Sequence, residues 1–327
     1  MIDFLHTNFA DLISYLDDAN KRLYWGYLVS AIVLAVGVYW ATHSSRSIKQ
    51  CFAFIFPKRI YLSASARLDY LLFVVNKLVR AALFPLILIT MAPIALHVSG
   101  VIEYVFGAPE FIQASPATIM VVFTLLLFLA DDFSRFFLHY LMHKVPLLWE
   151  FHKVHHSAEV LTPFTVYRSH PLENFLYATR MALAQGFVVG VCYYLFGPTL
   201  KMIDIVGANV FIFAFNILGS NLRHSHIWLS FGNKVEGWLI SPAQHQIHHS
   251  DNPKHFDTNL GTALAIWDRL FGTLIKASDV NNIRFGMGKH SADHSSLWKM
   301  YTQPIMASGK LIKRKLSVST EAKSKAE

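Results

Sequence analysis

The sequence is poor in cysteine and in charge, and each shortage closes a route. Its 327 residues include two cysteines, Cys51 and Cys192, far apart and outside any C-x-x-C pattern. Neither a disulfide framework nor a thiolate metal site is therefore expected. There is no C-x-x-C-H haem-attachment run and no G-x-G-x-x-G dinucleotide loop, since Gly286 and Gly288 lack the third glycine and a preceding strand. No histidine is followed by glutamate, which removes H-E-x-x-H zinc proteolysis, and no Glu-x-x-His occurs, which removes a carboxylate-bridged ferritin-like di-iron site. Charged residues make up 15% against 54% hydrophobic, a balance too apolar for an ordinary soluble domain. The charges gather in segments that separate long apolar runs, as in a membrane protein. Lys and Arg concentrate in 44–67 and from Lys310 onward. With no nucleic-acid-binding motif nearby, the net charge of +8 reads as cytoplasmic loop bias and no nucleic-acid partner is expected.

Five apolar runs are long enough to test as spans, which need roughly 20 residues. They fall at 24–42, at 69–97 (beginning in earnest near Ala81, with Pro85 and Pro93 as kink points), at 117–138, at 175–196 and at 202–220. The 43–68 connection carries Arg46, Lys49, Lys58, Arg59 and Arg67, whereas 98–116 carries Glu103 and Glu110 and no Lys or Arg. The first loop is therefore cytoplasmic, the N-terminus outside, and both 139–174 and everything after 221 cytoplasmic. The fold class expected is all-α, an integral membrane helical bundle with a cytosolic histidine-bearing cap. It divides into an anchoring region with two spans at 1–116, a catalytic region at 117–277 and a C-terminal extension at 278–327. The tail from Lys310 is expected to be irregular or to lie on the membrane surface.

Histidine is what the sequence has in excess. Three patterns recur: H-x-x-x-H at His139 and His143, H-x-x-H-H at His152, His155 and His156, and H-x-x-H-H again at His245, His248 and His249. On a helix, positions three and four apart share a face, so each cluster aims imidazoles at a common point. A lone membrane-edge histidine is an interface anchor or a polar core residue; eight in three such patterns are metal-ligand spacing. The two last apolar runs lie between the second and third clusters, so the chain can cross, return and assemble one composite site. Eight imidazoles exceed what one zinc ion uses and point to two metal ions, with the element open among Fe, Zn, Cu and Ni.

From Asp131 to Leu274 the sequence strongly resembles the fatty acid hydroxylase superfamily, often labelled sterol desaturase in bacteria. The resemblance rests on D-D-F-S-R-F-F-L-H-Y-L-M-H, W-E-F-H-K-V-H-H-S, R-S-H-P-L-E, S-P-A-Q-H-Q-I-H-H-S and N-L-G-T-A-L-A-I-W-D-R-L-F-G-T-L. It implies a non-haem di-metal centre, iron by preference with zinc as a form found on isolation, at the cytosolic face of the inner membrane. It also implies O₂ as co-substrate and a lipid substrate such as a fatty acyl chain, sterol or ether lipid. Electrons would come from a separate redox protein. The family contributes a further histidine after the last spans, matched here by His224, while His226 stands where the family has Asn. His6, His43, His97, His290 and His294 are isolated and read as non-ligands.

Because a metal-bound imidazole donates its other N–H to a carboxylate or carbonyl, Asp132, His170 and Asp257 are candidates for supporting the ligands, and Asn259 lies close by. Phe136, Phe137 and Trp149 are candidates for excluding water. By analogy the reaction is hydroxylation of an unactivated lipid C–H. Desaturation by the same centre, a zinc-dependent membrane hydrolase and a histidine-lined metal transporter are the alternatives; the last fits poorly, because transport sites lie near the bilayer midplane and these clusters lie beyond the span ends.

Overall fold

A computed structural model describes residues 2–87, 89–280, 282–288 and 294–324. Two short helices at 2–10 and 14–17 precede α1 (Trp25–Thr42), α2 (Ile48–Ile55), α3 (Ala64–Ile87) and α4 (Met91–Phe106). The longest helices follow: α5 (Pro116–Lys144), then α6 (Pro146–His156) and α7 (Pro171–Phe196). A two-stranded antiparallel turn, β1 (Asp204–Ile205) with β2 (Ala208–Asn209), leads into α8 (Val210–Ile217). After a 3-10 turn at Ser220–His224 come α9 (Pro242–His248), α10 (Ile266–Phe271) and α11 (Leu297–Ser324). The expected all-α membrane bundle is the fold observed.

Local chemistry sets the boundaries of the helices that matter most. Ser115 caps α5 by accepting from the Thr118 N–H, with Pro116 in the first turn where no N–H is needed. The helix stops at Val145, which precedes Pro146 and takes an extended conformation (φ −95°, ψ 112°). The chain folds back there, and α6 restarts on Pro146. The His170 side chain caps α7, and Gly197 (φ 82°) ends it.

Three helices are long and apolar enough to cross a membrane: α1, α5 and α7. The pair α3 and α4 qualifies as one span bent by 42°. The second predicted run is thus bent, but at the break between α3 and α4 and not at Pro85 or Pro93, which lie inside those helices. The fifth predicted span is not a spanning helix. Residues 202–220 divide into the β1–β2 turn, eight residues of α8 and the start of a 3-10 turn. Gly207 (φ 79°) and Gly219 (φ 93°) hold left-handed conformations inside that run, and both break a helix. These short elements carry the chain back toward the histidine clusters: Asn209 Nδ2 donates to the Thr124 carbonyl of α5, and Arg22 donates to the Ser220 carbonyl.

Helices α4 and α7 pack closely through small residues. A Cβ on Gly190 would lie 2.6 Å from the Ala95 carbonyl oxygen, and one on Gly186 would lie 2.7 Å from Ile94 Cβ. The basic connection between α1 and α3 sits on the same side as the histidine clusters. Cys51 and Ile55 pack on Leu222 and Ile227, and His226 Nε2 donates to the Phe54 carbonyl at 2.7 Å. The segment from Lys310 is helical through Ser324, so it is not irregular. His290 lies outside the described residues.

Candidate metal centre

All nine histidines singled out in the sequence as metal candidates gather in two adjoining groups, each with one ligand atom per residue within 4.8 Å of the others. The first holds His139, His143, His152, His156 and His248, the second His155, His224, His245 and His249. No H-x-x-H-H pattern converges on one point; each is shared. Helix geometry explains the division. Adjacent residues diverge by about 100° around the axis, whereas residues four apart nearly coincide. His152 and His156 therefore reach the first group together while His155 turns to the second, and His245 and His249 reach the second while His248 turns to the first. The doubled histidine is the signature of two centres, and the groups meet where His156 stacks on His249 with centroids 4.7 Å apart.

The outer ring nitrogens fix the tautomers. His139 Nδ1 donates to the Leu260 carbonyl (2.8 Å), His155 Nδ1 to the Arg168 carbonyl (3.2 Å) and His248 Nδ1 to the Thr258 carbonyl (2.8 Å). His152 Nδ1 donates to Glu173 Oε1 (3.1 Å) and His143 Nδ1 to Asp257 Oδ1 (3.2 Å). With the proton on Nδ1, each Nε2 presents a lone pair inward. Two such nitrogens then face each other with no proton between them: His139 Nε2 lies 3.1 Å from His152 Nε2. In the second group His224 Nε2 is 3.3 Å from His155 Nε2, 3.2 Å from His249 Nε2 and 3.1 Å from His245 Nε2. The Nε2 atoms of His143, His156 and His248 are buried with no hydrogen-bond partner. Converging ring nitrogens, unprotonated wherever Nδ1 carries the proton, are costly in isolation and natural around a cation. Nitrogens about 2.1 Å from one ion stand roughly 3.0–3.4 Å apart at octahedral or tetrahedral angles, the spacing seen here. The residues fit a pair of metal ions.

Burial keeps these rings neutral. It pushes His152 and His155 down to about 3. It also holds His156, His224, His245, His248 and His249 well below the usual imidazole range, with neighbouring imidazoles or Arg223 adding to the effect. At neutral pH the lone pairs are available. His245 differs from the others: Arg223 Nη2 donates to its Nδ1 at 2.9 Å, so the proton of the neutral ring sits on the inward Nε2 and must leave for that atom to bind an ion.

The supporting residues depart from the sequence reading. Asp257 does reach an imidazole, bridging His143 and Lys144 Nζ (2.7 Å) from a left-handed backbone (φ 58°). Asp132 touches no histidine. Its carboxylate accepts from the Ala263 and Leu264 N–H groups and from Trp267 Nε1. Asp268 accepts from the Leu260 and Gly261 N–H groups, so two buried carboxylates hold the loop whose Leu260 carbonyl orients His139. His170 also stays outside both groups: its Nδ1 caps α7 through Leu172 N–H, and its Nε2 donates to the Tyr301 carbonyl. His226 and His255 lie outside both groups as well. The sequence reading overlooked Glu173. It lies in the first turn of α7, where R-S-H-P-L-E places it three residues after the capping histidine, and that spacing was the available signal.

A cleft of about 880 Å³ reaches the first group, where His143, His156 and His248 meet Trp149, Phe256 and Met287. Phe136 is fully buried against Phe271 and Phe137 is exposed, so of the three aromatics only Trp149 borders the cleft.

Comparison with known proteins agrees with this site. Residues 124–273 match the family model for fatty acid hydroxylase, a stretch that holds all nine clustered histidines. Alkylglycerol monooxygenase of Xenopus tropicalis is 30% identical over 46% of this chain and 30% of its own length. Ornithine lipid hydroxylase of Rhizobium tropici is 31% identical over 43% of this chain and 38% of its own length. A Delta(7)-sterol 5(6)-desaturase of Gibberella zeae is 30% identical over 45% and 36%. The chain thus spans about a third of the length of the curated relatives it matches. No solved structure matches it.

Proposed function

We propose that this chain, which carries a fatty acid hydroxylase domain over residues 124–273, is a membrane-bound non-haem di-metal oxygenase. Iron is its working metal, O₂ its co-substrate, and it hydroxylates a C–H bond of a lipid. The observation that carries the reading is the pair of buried, all-nitrogen groups, the first of which leaves the Nε2 atoms of His143, His156 and His248 without a partner. Imidazole sets suit iron as well as zinc, copper and nickel, and the match of residues 124–273 to the fatty acid hydroxylase model is what favours iron. Bound there, the ions would supply the oxidising chemistry with O₂ that an unactivated C–H requires.

The chain's own contribution is positional. His139, His143, His152, His156 and His248 would hold one ion, and His155, His224, His245 and His249 the other. Leu260, Thr258, Arg168, Glu173 and Asp257 hold the rings in the tautomer that a ligand needs. The cleft over the first group admits the substrate carbon beside Trp149, Phe256 and Met287, and Lys153, Asp251, Asp257 and Arg284 line the rest of it. The site faces the cytoplasm, where a separate electron-transfer protein delivers reducing equivalents. The sterol desaturase among the relatives supports a second reading, desaturation by the same centre.

The test is reconstitution of metal-free protein with ferrous iron or zinc, plus O₂, an electron donor and extracted membrane lipid, followed by mass spectrometry. A gain of one oxygen atom with iron alone supports hydroxylation, and a loss of two hydrogens supports desaturation. Oxygen-independent lipid cleavage with zinc would overturn both.

A further inference from the structure

Helix α11 has three distinct faces. One packs on the catalytic region: Met300 is fully buried against Leu72 and Val154, Tyr301 Oη donates to Asn76 Oδ1 at 2.9 Å, and Pro304 and Ser308 are buried one and two turns on. Just beyond Ser308, Leu311, Ile312, Arg314 and Lys315 line a hollow with Val145, Pro146 and Leu147, at the end of span α5. The helix therefore lies against Leu72 and Asn76 of α3 and beside the end of α5, on the side that carries the histidines.

The second face is apolar and exposed. At 100° per residue, Trp298, Ile305, Ile312 and Leu316 fall within about 40° of one another, and they are 75, 58, 50 and 63% exposed. The third face is basic. Lys299, Lys310, Lys313 and Arg314 occupy the neighbouring arc, and residues 297–320 contain five Lys or Arg and no Asp or Glu. A helix bathed in water has no reason to expose a Trp-Ile-Ile-Leu stripe. A helix lying in the headgroup region does, and its basic arc then faces lipid phosphate.

We propose that α11 is an in-plane membrane helix that binds an anionic lipid surface. Its apolar stripe enters the boundary between headgroups and acyl chains, and Lys310, Lys313 and Arg314 contact the phosphates. The occupant follows from the charge complementarity of a basic arc that carries no acid from Leu297 to Thr320 and from continuity with the spans beside it. Because α11 packs on α6, which carries His152, His155 and His156, and accepts from His170 at the Tyr301 carbonyl, lipid engagement buttresses the helix that presents the second histidine pattern.

The experiment places a fluorophore on a single introduced cysteine, Ile305→Cys, Ile312→Cys or Lys310→Cys. Cys51 and Cys192 are buried and take no label in the folded protein. The full-length protein is placed in nanodiscs of phosphatidylcholine alone or mixed with phosphatidylglycerol, with nitroxide-labelled lipid as quencher. The expected result is strong quenching at 305 and 312 in the anionic discs, reduced at high salt, with weak quenching at 310. Each basic residue near an anionic surface is worth about 1 kcal/mol. Lys310→Glu, Lys313→Glu and Arg314→Glu together should then shift the bound population on the order of a hundredfold toward the unquenched state. Water-like emission at 305 and 312 in both discs would overturn the proposal. Equal quenching in neutral and anionic discs, unmoved by salt, would overturn its anionic part.

Discussion

Replacing Glu173 with glutamine should weaken one metal ion and spare the other. Glu173 Oε1 accepts from His152 Nδ1 at 3.1 Å, and the two side chains are 6% and 2% exposed, so no water competes for the contact. His152 belongs only to the first group. Glutamine keeps an acceptor oxygen but removes the charge that makes the ring more basic toward a metal. Loss of such a partner costs 10- to 100-fold in metal affinity, or about 1.4–2.7 kcal/mol. Asp257→Asn should cost less, because Asp257 is 38% exposed and shared with Lys144. The assay is competition with a chromophoric chelator on purified protein, with the two ions resolved as successive steps. The expected result is one step weakened about 10- to 100-fold in Glu173→Gln, less in Asp257→Asn, and the other step unchanged. Unaltered affinity in Glu173→Gln, or equal weakening of both steps, would refute the assignment of His152 to a single centre.

Two further outcomes follow from the same geometry. In metal-free protein the buried histidines remain neutral where an unfolded chain would be protonated, so the unfolded state binds more protons below the ordinary imidazole pKa. Stability is full above about 6.5 and falls as pH drops toward 3. At about pH 5.5, His152 and His155 each cost about 1.4 kcal/mol. Thermal melts should show the metal-free protein losing stability steeply from pH 7 to 5, and a flat profile would contradict the buried neutral rings. Gly261→Ala should disturb the first centre without touching a histidine, because its Cβ would lie 2.6 Å from Asp268 Oδ2 and 2.8 Å from the Leu264 carbonyl oxygen. Displacing the loop moves the Leu260 carbonyl off His139. A drop of about 1–3 kcal/mol in stability with weaker binding at the first centre is expected, and wild-type values on both counts would show that the loop does not position His139.

The histidine patterns were legible because helix spacing alone brings residues four apart onto one face, and those patterns survive any rearrangement of the loops. What spacing did not reveal was the sharing of each doubled histidine between two centres, although the 100° step between His155 and His156, and between His248 and His249, already contains it. The fifth span was misread because apolar content says nothing of continuity. Residues 202–220 are as greasy as a span, yet Gly207 and Gly219 take left-handed conformations within them. Asp132 was read as a partner of a histidine because it lies on the face of His139. Sequence distance could not show that a loop more than a hundred residues away offers it two N–H groups and an indole. Glu173 was overlooked for the opposite reason: its sequence neighbour is His170, which is not a ligand, and the packing of α7 on α6 is what brings it to His152.

The claim that two histidine groups hold one ion each is tested most directly by counting metal in three proteins reconstituted under anaerobic conditions: wild type, His156→Ala and His245→Ala. Elemental analysis should give two ions per chain in the wild type and close to one in each variant. In the variants, X-ray absorption of the remaining ion should show an all-nitrogen shell. One ion in the wild type, or loss of both ions in both variants, would contradict the two-centre account.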